Sequence, residues 1–127
     1  MPARLLTPVV AVALFAAAGC GPAKLDEKKS YEVDPRETKF VTLPAQPKPQ
    51  RLTVEFESDE PIEIGVYKDD DIKDREAPLP TSKAFVVEKT KTSGTVTVDL
   101  GPDVSTTVTV TALGKKANVK LHMTNRK

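Results

Sequence analysis

Apolar and polar residues alternate with a period of two through the second half of this chain. Leu52, Val54 and Phe56 alternate with Thr53, Glu55 and Glu57, and Ile62, Ile64 and Val66 with Glu63, Gly65 and Tyr67. Ser58-Asp59-Glu60-Pro61 separates these runs and reads as a turn. Residues 84–89 form a further run with Phe85 and Val87 on one face, followed by a turn over 90–93. Val96, Val98 and Leu100 then alternate with Thr95, Thr97 and Asp99, and Gly101-Pro102-Asp103 turns the chain. Val108, Val110 and Ala112 alternate with Thr107, Thr109 and Thr111; Gly114-Lys115 sits in a hairpin turn; Val119, Leu121 and Met123 alternate with Asn118, Lys120 and His122. Alternation of this kind marks strands with one buried and one solvated face, which antiparallel sheets allow and parallel ones rarely do. The expected fold is all-β: a small antiparallel β-sandwich of about six to seven strands, jelly-roll or immunoglobulin-like, over residues 51–127. Residues 68–82 read as a long polar connection holding at most one helical turn near 71–76.

The first fifty residues have no such period. Residues 5–18 are an apolar run of fourteen, interrupted only by Thr7 and Pro8. A bilayer-spanning helix needs about 20 apolar residues, so the run fits the core of a secretory signal, residues 1–19. Residues 20–50 hold Pro22, Pro35, Pro44, Pro47, Pro49 and a charged cluster over 24–29. So little apolar surface does not offset the entropy of ordering, and a disordered tether is expected there. A flexible segment of that kind would lift a domain by about 20–25 Å. Residues 40–43, Phe-Val-Thr-Leu, are the exception and read as a short edge strand or a clip against the domain.

Ala17-Ala18-Gly19-Cys20 closes the leader with small residues and the only cysteine. This stretch resembles a bacterial lipobox. The resemblance implies cleavage just before Cys20 and acylation there, with diacylglycerol on its sulfur. Two or three acyl chains anchor a protein essentially permanently, at about 0.8 kcal/mol per buried methylene. Gly21, where aspartate would imply retention in the inner membrane, implies an outer-membrane lipoprotein facing the periplasm. Residues 52–123 resemble the bacterial pre-peptidase C-terminal type of β-sandwich. The shared pattern is an early strand, a second strand like 62–67, a long middle loop and a closing strand pair. The Gly-Thr-Tyr turn frequent in that group is Ser105-Thr106-Thr107 here. Such domains are usually non-catalytic parts of exported proteins.

Composition narrows the picture further. Removing 19 of 127 residues leaves 108, the size of one domain. Without Arg4, the 19 basic side chains become 18, equal to the 18 acidic ones. A net charge of zero provides no field to hold nucleic acid. With Cys20 acylated no disulfide can form, and with no tryptophan the core falls to Val, Leu and Ile.

Candidate chemistry is sparse. Asp69, Asp70, Asp71, Asp74 and Glu76 concentrate carboxylates in the long connection, and an alternative function is weak calcium binding there. The EF-hand spacing is absent, however, and Lys73 and Arg75 interleave, as in a solvated charged loop. No other cofactor is expected. His122, the only histidine, falls on a polar strand face with no partner at a sequence spacing that suggests a metal site or a catalytic triad. Tyr67, Thr107, Thr109 and Thr111 read as outward-facing and available for surface contact. The function expected is a lipid-anchored envelope protein displaying a non-catalytic β-sandwich. It would support the envelope or bind an envelope protein or polymer.

Overall fold

The computed structural model describes residues 24–125. Six strands follow one another: β1 (Asp26–Val33), β2 (Thr38–Leu43), β3 (Gln50–Lys68), β4 (Val86–Leu100), β5 (Thr106–Ala112) and β6 (Ala117–Thr124). They form one antiparallel sheet in the order β1-β6-β3-β5-β2, with β4 paired to β3 beside that path. The all-β antiparallel fold is as the alternation predicts; four of the strands, β3 to β6, come from the alternating runs, and β1 and β2 come from the stretch before them.

The sheet becomes a sandwich because β3 and β4 are long enough to belong to both layers. The first half of β3 pairs with β6 from Thr53↔Thr124 to Ser58↔Val119. Its second half pairs with β5 from Ile62↔Ala112 to Lys68↔Thr106. β4 follows β3 through both halves, with register shifts between Glu57 and Ile64 where the pair folds over. Residues 58–61, expected to be a turn, are instead a bend within a continuous strand. Ser58 makes the bend: its Oγ donates to the Glu60 carbonyl at 2.7 Å and accepts the Glu60 N–H at 3.2 Å. Residues 90–93, also expected to turn, continue β4, with Thr90 at φ 55° taking up the irregularity. A bulge on each strand re-aims the pair without ending it.

Inward residues of both layers meet in one core that includes Leu52, Val54, Phe56, Ile62, Ile64, Val66, Val108, Val110, Leu121 and Met123. These are the apolar positions of the alternating runs. Gly94 lies directly opposite Phe56, and a Cβ there would meet the ring at 2.9 Å. The missing side chain lets the aromatic ring lie across β4.

The expected tether over 20–50 is corrected from residue 24 onward. β1 pairs with β6 over eight positions, from Asp26↔Thr124 to Val33↔Ala117, and β2 with β5 over six. Asp26, Glu27, Lys28, Lys29 and Glu32 make β1 look like a solvated linker, yet an edge strand keeps one flank and one face in water. Val33 is fully buried, Tyr31 and Leu25 pack on the core, and the backbone ladder does the rest. A buried amide bridge ties in the start of β1. Asn125 Oδ1 accepts the Leu25 N–H at 2.8 Å, and Asn125 Nδ2 donates to Gln50 Oε1 at 2.9 Å. The helical turn expected near 71–76 is a 3-10 turn at Asp69–Asp71, with a second at Thr81–Lys83. Residues 17–20, read from the sequence as resembling a lipobox, lie outside the described residues.

Candidate functional site

Tyr67, Thr107 and Thr109 point away from the core, as their alternation predicts, yet all three are fully buried, and Thr111 is half-buried. Their expected role as free surface contacts is corrected for the first three. The connection between β3 and β4 returns over this outer face instead of projecting into solvent. At one end, Thr107 Oγ1 donates to Asp69 Oδ1 at 2.6 Å and the Asp69 N–H reaches the Ser105 carbonyl at 2.8 Å. In its middle, the Arg75 guanidinium stacks 4.8 Å from the Phe40 ring and donates to Thr42 Oγ1 at 3.1 Å. At the other end the Phe85 N–H donates to the Val66 carbonyl at 2.8 Å.

Tyr67 lies back along its own strand over Gly65. A Cβ on Gly65 would stand 2.7 Å from Tyr67 Cε1 and 2.9 Å from Thr109 Oγ1. The Tyr67 hydroxyl has no hydrogen-bond partner among the described residues. Burial, and after it the negative charge of Glu63, raises its pKa. Glu63 is itself nearly buried and faces Lys89 at 3.7 Å. Beside this patch the returning chain leaves a groove of about 540 Å³ whose lining includes Arg36, Glu37, Glu63, Arg75, Glu76 and Thr111. Its charges are of both signs and side by side, suited to a partner that is itself polar and mixed in charge. A second hollow, of about 940 Å³, lies within the connection and is lined by Asp69, Asp70, Asp71 and Asp74.

The five acidic residues of the connection do not converge. Asp69 holds Thr107, and Asp74 accepts the N–H of Glu76 at 2.9 Å. Among the described residues no group of three or more acidic, histidine or cysteine side chains is placed to hold a metal ion.

His122 does have partners, and sequence spacing could not have found them. Its Nε2 lies 2.6 Å from Asp26 Oδ1 and its Nδ1 3.2 Å from Glu55 Oε1. Asp26 stands 96 positions away in sequence, on a strand that reads as linker. Both ring nitrogens therefore face carboxylates, and the imidazole joins β1, β6 and β3 across the outer face of the first layer. The hydrogen bond to His122, helped by its charge and by Lys24 and Lys28, holds the Asp26 carboxyl below the usual range. The geometry is that of a staple across three strands.

Neither a family model nor a curated protein sequence matches the chain. Solved structures do resemble it. PliG, a periplasmic lysozyme inhibitor of g-type lysozyme from Aeromonas hydrophila, aligns at TM-score 0.54 and 16% identity, over 84% of this chain and 89% of that one. The Yersinia pseudotuberculosis-derived mitogen aligns at TM-score 0.54 and 6% identity, over 84% and 88%. The K1 cleaved adhesin domain of Lys-gingipain from Porphyromonas gingivalis aligns at TM-score 0.51 and 10% identity, over 83% and 99%. At these identities the likeness is one of fold: the chain is built like these β proteins over nearly all of its described length.

Proposed function

We propose that this protein is a lipid-anchored component of the bacterial envelope whose β-sandwich works by binding or support, without catalysis. The observation that carries the reading is how closely the folded domain follows Cys20. Leu25 already packs on the core and β1 begins at Asp26. The few residues between them reach at most about 20 Å when fully extended. An acylated Cys20 would therefore hold the sandwich against the head groups, where the expected tether would have lifted it clear. Gly21 favours the outer membrane, facing the periplasm. The fold supports a binding role, since it is shared with a periplasmic inhibitor and an adhesin domain. The mixed-charge groove beside Glu63 and Arg75 is the surface offered to an envelope protein or polymer.

The test is the intact mass of the native protein taken from its envelope. The expected species begins at Cys20 and carries diacylglycerol and palmitate-length acyl mass. A free thiol on a chain with its leader uncut, recovered in the soluble fraction, would overturn the anchor. Capture on the lipidated protein, compared with Arg75→Glu, reads the groove: partners that need the groove are lost from the variant.

A further inference from the structure

β4 is the one strand that edges both layers. Among the described residues it pairs only with β3, so its other flank is unpaired along all fifteen residues. The remaining edges are guarded or short. β1 carries five charged residues in eight, and β2 is only six residues long, with Arg75 stacked on Phe40 and bonded to Thr42. By contrast, Thr92-Ser93-Gly94-Thr95-Val96-Thr97-Val98 has no charge and no proline. A long uncharged edge is a ready template for another strand.

We propose that this edge pairs with the same edge of a second copy, antiparallel about a two-fold axis at Thr95. Only a self-complementary strand can make such an isologous contact, and this stretch is self-complementary in charge. With Thr95 opposite its own symmetry mate, Lys91 falls opposite Asp99 of the other copy, twice per dimer. Thr97 falls opposite Ser93, also twice. Opposite charges and paired hydroxylated side chains are both favourable cross-strand neighbours. The register uses all of residues 91–99 and stops short of Thr90, where the positive φ bends the strand. Lys91 has no ion pair among the described residues, and Asp99 gives one oxygen to Arg51 at 2.8 Å while its side chain stays 75% exposed. Joined this way, the two sandwiches share a continuous sheet.

Single cysteines read the register in the full chain. Opposite Cβ atoms lie about 4.5–5.5 Å apart, near enough to form a disulfide after small adjustment. Thr95→Cys should therefore give a disulfide-linked dimer on mild oxidation. Ser93→Cys and Thr97→Cys should each fail alone, being displaced by several residues from their own mates, but cross-link when the two chains are mixed. The unaltered chain shows any link made through Cys20. In a second measurement, Lys91→Asp should weaken association at least tenfold, and adding Asp99→Lys should restore it. No cross-link at Thr95, or equal cross-linking at all three positions, would overturn the proposal, as would dimers indifferent to Lys91→Asp.

Discussion

At Gly65 the fold has no room for a methyl group, because the Tyr67 ring and the Thr109 hydroxyl occupy its position. Gly65→Ala is expected to cost about 1–3 kcal/mol through overpacking, read as a lower urea midpoint at unchanged slope. Tyr67→Phe should go the other way. The buried hydroxyl has no partner among the described residues, so removing it is expected to be neutral or to raise the midpoint slightly. Asp59 accepts both the backbone and side-chain N–H groups of Asn118, at 2.8 and 2.9 Å. These bonds, the backbone one first, lower its pKa, as the N–H of Asp34 lowers that of Glu37. A carboxyl with a folded pKa below its unfolded one adds stability above the unfolded pKa, about 4, and loses it as pH falls through the folded value. Stability should therefore decline below about pH 4–5, and Asp59→Asn should flatten that decline in denaturant melts taken between pH 6 and pH 2. None of these three sites is visible locally in the sequence, because each depends on a side chain that another strand supplies or that folds back from the same one.

Among the elements, β1 and β2 carry the largest difference between sequence and structure. Their charges and flanking prolines conceal strands whose value lies in covering β6 and β5. A chain beginning at residue 51, where the alternation starts, would leave both of those strands as open edges and remove Val33, Val41 and Leu43 from the core. It is expected to lack a cooperative thermal transition and to bind a hydrophobic dye. A chain beginning at Cys20 should melt cooperatively. His122 and Asn125 hold β1 from its two sides, so His122→Ala should speed hydrogen exchange at the β1 amides while leaving β5 protected. The later strands were legible because Leu52, Ile62, Val96, Val108 and Val119 each open a run with a strict period of two.

For the molecule as a whole, the long connection is a lining of the second layer and not a free arm. Its carboxylates are dispersed, and Asp69 and Asp74 already serve the loop's own structure. Raising calcium to millimolar levels is expected to leave the melting temperature unchanged; a rise of several degrees would make the connection a cation site.

By itself the sequence determined which residues of the later strands face the core and that the fold is an antiparallel sandwich. Those properties follow from nearest-neighbour periodicity and local composition. Only the tertiary structure decided that β3 and β4 bend without breaking and that the outer threonines are roofed over. Only it showed that the charged stretch before residue 34 is an edge strand stapled through His122. Each of these depends on groups far apart along the chain, whose pairing is favourable only once both layers of the sheet are in place.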